Sequence, residues 1–266
     1  MTKGWAVVTG ASSGIGLTFA KELARRGHPV LAVARRRERL EALSRETVQG
    51  GGRIEPLSAD LKTRDGLTSV VRSIGDLGEI ELLVNNAGIA TAGDFVRASL
   101  DEEIGAIRLN VEAAVVLTHE VLRGMVPRRR GAVINLASVV GFQPFPHFAV
   151  YAASKAFVLS FTESIAEEVK GTGVRVLALC PGAVRTEIDV FAHNEGLLGK
   201  LPSLTAEQVV KTGLQALEDG RVVKVVGRLN QFLPFMDRVM PRQTVRWLMG
   251  VSVKPPQTSH AAKVGP

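Results

Sequence analysis

The chain has 266 residues, 45% hydrophobic and 22% charged, with a formal net charge of +7 and a pI near 9.9. That length and balance suit one folded α/β domain and exclude general disorder. A single cysteine, Cys180, excludes an internal disulfide and a cysteine-based metal cage, and the histidines show no ligand spacing, so no metal is expected. No apolar run reaches the roughly 20 residues of a membrane span. The opening "MTKGWAVVTG" enters a strand without the apolar run of a signal peptide, so the expected location is cytoplasmic.

In chain order, short β-branched runs alternate with segments of helical period. "WAVVTG" is followed by a helix over 14–26, "VLAVA" by one over 36–49, "IEPLSA" by one over 62–75, and "ELLVNNAG" by one over 101–125. "GAVINLAS", a helix over about 150–170, "VRVLALCPG", a helix over 205–219 and "RVVKVVG" complete the pattern. Strands reading as unbroken apolar runs are buried on both faces, which predicts a doubly wound sheet with helices on both sides. Residues 1–227 are read as one domain, 228–254 as an amphipathic helical extension of it interrupted by Pro234 and Pro241, and 255–266 as a loose tail.

The first strand ends in "VTGASSGIG", with Gly10, Gly14 and Gly16 leading straight into a helix. Glycine permits a tight turn and close approach of a ligand to backbone, and a helix N-terminus offers free N–H groups and a positive dipole end. The stretch reads as a pyrophosphate site, although its spacing is neither G-x-G-x-x-G nor that of a P-loop. A binder of NAD places an acid at the end of the second strand to meet the ribose hydroxyls, whereas the 2′-phosphate of NADP calls for arginine. Here Arg35, Arg36 and Arg37 come before any acid, so NADP(H) is expected, with Arg35 as first contact and Arg36 assisting. The bland reading of the arginines is a solvated helix start. Asp60 after the third strand, and Asn85 and Gly88 at the end of the fourth, point to the same sheet edge.

The only tyrosine, Tyr151, stands four residues before Lys155 in "VYAASKAFVLSF". On a helix these positions share a face. A carbonyl receiving hydride needs a proton donor for its developing oxyanion; a tyrosine suits this, and a nearby ammonium is expected to lower its pKa. Asn110 stands in a helical segment, where asparagine is unfavourable by propensity and invites a reason.

"TGASSGIG", "NNAG", Asn110, Ser138 and "YAASK" together resemble the short-chain dehydrogenase/reductase family in its Tyr-x-x-x-Lys branch, from residue 4 to about 227 and including "PGAVRT" at 181–186. The resemblance implies a Rossmann-like, mainly parallel seven-stranded sheet and reversible hydride transfer between a nicotinamide and a carbonyl or alcohol. It implies Asn110, Ser138, Tyr151 and Lys155 as catalytic residues, with Ser138 holding the carbonyl oxygen and Asn110 a water joining Lys155 to solvent. It sets the dinucleotide against Gly10, Ser12, Ser13, Gly14, Ile15, Gly16, Arg35, Arg36, Asp60, Leu61, Asn86, Ala87, Gly88, Tyr151, Lys155, Pro181, Gly182, Val184 and Thr186.

Phe142, His147 and Phe191 are the candidate substrate contacts, within segments 139–148 and 183–203, the second read as a lid. Their aromatic character predicts a hydrophobic ketone, aldehyde or secondary alcohol. Residues 229–249 carry apolar side chains and arginines at helical spacing, and either pack on the pocket or a second subunit, or lie on a membrane surface. A homo-dimer or homo-tetramer is expected. Nucleic-acid binding lacks a recognised motif or an interleaved aromatic patch despite the basic charge. A non-catalytic NADP(H)-binding protein is the remaining alternative, disfavoured by the presence of Ser138, Tyr151 and Lys155 together.

Overall fold

The computed structural model describes residues 3–185, 203–227, 229–231 and 239–253. Its centre is a seven-stranded sheet in the order β3-β2-β1-β4-β5-β6-β7, formed by β1 (Trp5–Thr9), β2 (Val30–Ala34), β3 (Ile54–Ser58), β4 (Ile80–Asn85), β5 (Gly131–Leu136), β6 (Val174–Pro181) and β7 (Val223–Val226). Every adjacent pair is parallel, which makes the sheet more uniform than the mainly parallel one expected. The central strands are buried along their length, as β-branched runs covered on both faces should be. At the edge, β3 alternates between buried and open positions, and Pro56, which has no N–H to donate, is tolerated there.

Side chains alternate across the sheet. Ala6 and Val8 of β1 pack with α1 (Gly14–Arg25), α2 (Arg37–Gln49) and α7 (Ala206–Glu218), through Phe19, Leu40 and Val209 among others. Val7 faces the opposite layer, where Leu67 and Val70 of α3 (Arg64–Asp76) and Leu117 and Met125 of α5 (Ala113–Met125) form a second core. The helix expected over 101–125 is α4 (Leu100–Ile107) and α5 joined without a break by a π turn, Arg108–Glu112. The other two long helices are α6 (Ala149–Glu168) and α8 (Arg242–Ser252).

Order reverses between β1 and β4, the point at which a parallel sheet opens a crevice outside its strand C-termini. Loops from both halves meet there. Thr9 Oγ1 accepts from the N–H groups of Asn86 and Ala87 at 3.0 Å each, while Asn86 Nδ2 donates to the Thr9 carbonyl at 2.8 Å. Gly16 lies under this clasp, where a Cβ would collide with the Gly10 carbonyl and the Asn86 amide.

On the β5–β6 side, Val245, Met249 and Val253 of the α8 region pack with Phe145, Phe148 and Tyr151. The inner face of the C-terminal segment therefore covers the Tyr151 end of the crevice. No helix among the described residues is long and apolar enough to cross a membrane.

Candidate active site

The crevice holds a cavity of about 170 Å³. One end is lined by Val33–Arg36 and Ala59–Leu61, the middle by Gly10, Ser12–Ile15 and Asn86–Ile89, and the other end by Leu136–Ser138, Tyr151, Lys155 and Pro181–Val184. The residues expected to meet a dinucleotide thus converge, with two exceptions. Gly16 sits beneath the loop as packing and does not line the cavity, and Thr186 lies outside the described residues.

Local chemistry fits a phosphate-bearing ligand. Thr63, Ser99 and Thr205 cap their helices through side-chain oxygens, whereas Ser13 at the start of α1 makes no side-chain cap. Its Oγ instead accepts from Arg36 Nη2 at 2.7 Å, and Ser12 Oγ accepts from the same guanidinium at 2.9 and 3.1 Å. The uncapped helix end, with its dipole and N–H groups, faces the cavity beside a guanidinium held in place, an arrangement suited to an anion. Arg36 is anchored beside the cavity, while Arg35, expected as first contact, lies exposed at its rim, its carbonyl accepting from Ser58 Oγ. Asp60 also lines the cavity, with Oδ1 accepting from the Lys62 N–H at 3.0 Å.

At the opposite end Ser138, Tyr151 and Lys155 are all buried. Ser138 ends the loop after β5 and caps the short 3-10 turn Val139–Phe142, accepting from the Val140 N–H. Tyr151 and Lys155 are one turn apart on α6, with the ammonium nitrogen 5.8 Å from the phenol ring centre. Lys155 Nζ donates to the Leu136 carbonyl at 2.7 Å. Burial pushes the Tyr151 phenol up to about 12, opposed by its hydrogen bond with Ser138, and pushes the Lys155 ammonium down to about 8. Burial is the larger influence on the Tyr151 phenol and the Ser138 hydrogen bond the smaller; a lowering by Lys155 is not among them.

Asn110 lies in the π turn, whose extra residue turns its amide inward. Oδ1 accepts from the Ile89 N–H at 2.9 Å, and Nδ2 donates to the Ile89 carbonyl at 2.9 Å and to Ser154 Oγ at 3.0 Å. Ser154 Oγ in turn donates to the Tyr151 carbonyl at 2.7 Å. Gly88 runs past this group so closely that a Cβ would stand 3.2 Å from Asn110 Oδ1 and 3.5 Å from Lys155 Nζ. A second, polar-lined cavity of about 10 Å³ adjoins Lys155, Asn110, Asn85 and Thr9, close to the space one water requires.

One expectation is corrected, and the three candidate substrate residues are placed as follows. Asn85 does not reach the ligand edge: its Nδ2 donates inward to Asn135 Oδ1 at 2.8 Å and Thr118 Oγ1 at 3.0 Å, because the two asparagines are register partners on β4 and β5. Phe142 packs with Ala137, Val158 and Cys180 and does not line the cavity. His147 is also off the cavity lining; its backbone is left-handed, at φ 65°, and its Nδ1 lies 3.0 Å from Asp94 Oδ1. Phe191 and most of segment 183–203 lie outside the described residues, although Val184 and Leu204 pair across its ends. Burial pushes the Cys180 thiol up to about 12, as for a core thiol. No group of metal-ligating side chains occurs among the described residues.

Sequence reading missed Thr9, Ser154 and Asn230. Asn230 is buried against Gly182 and donates to the Val226 carbonyl at 2.7 Å, propping the β6 loop. Thr9, inside the glycine motif, and Ser154, inside "YAASK", stood within motifs already read, whereas Asn230 gave no signal.

A doubly wound sheet with a phosphate cradle at one end of its crevice and a buried Ser/Tyr/Lys group at the other defines a Rossmann-like oxidoreductase. The chain belongs to the short chain dehydrogenase family, whose model matches residues 4–195. A short chain dehydrogenase of Pseudocercospora fijiensis is 42% identical over 186 residues, covering 69% of this chain and 60% of that protein. The very-long-chain 3-oxoacyl-CoA reductase of Anas platyrhynchos is 37% identical over 250 residues, covering 92% of this chain and 78% of that protein. Among solved structures, a short-chain dehydrogenase from Sphingobium yanoikuyae in complex with NADPH superposes with TM-score 0.79 at 30% identity, covering 97% of this chain and 99% of that one.

Proposed function

We propose that the protein is an NADPH-dependent reductase of hydrophobic ketones or aldehydes, acting in reverse on secondary alcohols. The observation that carries the reading is the pairing of Arg36, anchored beside the uncapped start of α1, with the buried Ser138, Tyr151 and Lys155 at the far end of the same cavity. Arg36 and Arg35 would hold the 2′-phosphate, and the Gly10–Ile15 loop the pyrophosphate. When bound, the nicotinamide supplies or takes up the hydride. Ser138 donates to the carbonyl oxygen, favouring the charge that develops there. Tyr151 gives its proton to that oxygen as the alcohol forms, a task for which a phenol kept neutral by burial suits reduction better than oxidation. Lys155 restrains the site beside Leu136, and the resemblance adds contact with the nicotinamide ribose. Asn110 and Ser154 fix the height of Tyr151 on α6 through its carbonyl.

The apolar character of the substrate is supported by the cluster around Tyr151, in which Ala90, Val140, Phe145, Phe148, Val245 and Met249 meet. The name of the Anas relative, an oxoacyl-CoA reductase, agrees with a long apolar carbonyl compound. The test is NADPH oxidation against medium-chain ketones, aldehydes and 3-oxoacyl thioesters. At least one class should turn over with NADPH and slowly with NADH; inertness across all three would favour a non-catalytic NADP(H)-binding role.

A further inference from the structure

The face of α6 that carries Tyr151 and Lys155 continues through Val158 to Thr162, and all four residues are buried. Thr162 stands eleven residues beyond Tyr151, about three helical turns and roughly 16 Å along the axis. Its Oγ1 donates to the Val158 carbonyl within the helix. The lone pairs of the same oxygen accept from Asn135 Nδ2 at 3.0 Å. Asn135 is fully buried on β5, and its Oδ1 accepts from Asn85 Nδ2 at 2.8 Å. The bonds run one way, from Asn85 on β4 through Asn135 on β5 to the inner face of α6.

Beside this bond the packing of α6 on the sheet is apolar: Val158 and Leu159 meet Ala137, Ala178 and Cys180. Apolar burial is non-directional, so it holds the helix against the sheet without fixing its height or rotation. A hydrogen bond constrains distance and angle together, and breaking this one strands a buried amide donor. Polar contacts tie α6 to the end of β5 at successive positions: Asn135 with Thr162, the Leu136 carbonyl with Lys155 Nζ at 2.7 Å, and Ser138 with Tyr151. The last two lie within the reacting group. Asn135 and Thr162 line neither the crevice cavity nor the small cavity beside Lys155.

We infer that Thr162, held by Asn135, is a positioning residue for the proton transfer. The bond sets the height and rotation of α6 on β5, and through the helix it sets where Tyr151 and Lys155 stand against Ser138. Reacting groups tolerate little displacement: a misplacement of about 1 Å costs on the order of 100-fold in rate. This rests on the reductase reading above and adds to it a pair of residues that act at a distance from the cavity.

The test uses Thr162→Val, which keeps the side chain's shape and removes the hydroxyl, and Thr162→Ser, which keeps the hydroxyl. Thr118→Val is the control, because Thr118 Oγ1 accepts from Asn85 Nδ2 at 3.0 Å at the other end of the same network, on α5. Reduction of 2-nonanone, nonanal and ethyl 3-oxononanoate by NADPH is measured well below the Tm of each variant. Thr162→Val should lower kcat by about tenfold or more with KM for NADPH held within about twofold. Thr162→Ser should keep kcat within about threefold of wild type, and Thr118→Val should lower Tm while leaving kcat within about twofold. Wild-type kcat in Thr162→Val, or an equal fall in kcat in Thr118→Val, would overturn the assignment and leave the network as framework. If Thr162→Val does not fold, Thr162→Ala is held to the same expectation, and failure of both to fold overturns the assignment too. Wild type that binds NADPH yet reduces none of the three probes would overturn the reductase reading itself.

Discussion

Tyr151 and Lys155 are displaced from their ordinary ionisation in opposite directions by the same cause, loss of water. The folded Lys155 titrates at about 8 against 10.5 in an unperturbed lysine. Between those values the unfolded chain binds a proton that the folded chain does not, so this group's contribution to stability is present above 10.5 and is lost as pH falls through 8. Tyr151 titrates at about 12 against 10.0, so its contribution is present below 10 and is lost as pH rises through 12. Together they place a local maximum of stability near pH 10. Lys155→Met should abolish the rise between pH 8 and 10 while leaving the decline above it, as read by chemical denaturation at a series of pH values. An unchanged slope would show that Lys155 is charged throughout in the folded protein. The tyrosine and lysine were legible in the sequence from their spacing, but the sign of the tyrosine shift was not. That sign depends on burial by α8 and by the loop carrying Phe145 and Phe148, elements far apart in the chain.

The elements that meet at the crevice carry the cofactor reading. Arg36 joins the end of β2 to the loop before α1 through Ser12 and Ser13, so it acts both as a clasp and as a cation facing the cavity. If it also holds the 2′-phosphate, Arg36→Ala should raise KM for NADPH by about tenfold or more, with little change for NADH, since charge-assisted bonds are worth about 1.5–3 kcal/mol. Arg35→Ala should have the smaller effect. Equal rises in KM for both nucleotides would reduce Arg36 to a clasp. Sequence pattern located every strand and helix around the crevice, because continuous apolar runs and glycine-punctuated helices are local signals. It did not reveal the π turn in the long helix, since one extra residue leaves the hydrophobic periodicity nearly intact. It also sent Asn85 to the wrong place: register with Asn135 across β4 and β5 is set by pairing, which no local window contains.

At the scale of the molecule, a single sheet brings Gly10, Ser12–Ile15, Arg35, Arg36, Asp60, Leu61, Asn86–Gly88, Ser138, Tyr151, Lys155 and Pro181–Val184 to one edge. The C-terminal segment closes the Tyr151 end with Val245, Met249 and Val253, so the reacting group is shielded on the side where an apolar substrate would lie. The sheet was readable in advance because each strand announces itself; the cover was not, because an apolar face at helical spacing does not say what it packs against. The claim that ties these levels together is that Tyr151 delivers the proton. Its most direct test is NADPH oxidation by wild type and Tyr151→Phe on the same carbonyl substrate, with NADPH binding measured alongside. Loss of one positioned acid should lower kcat by at least about 100-fold with NADPH affinity held within about twofold, whereas a variant that turns over at the wild-type rate would contradict the account.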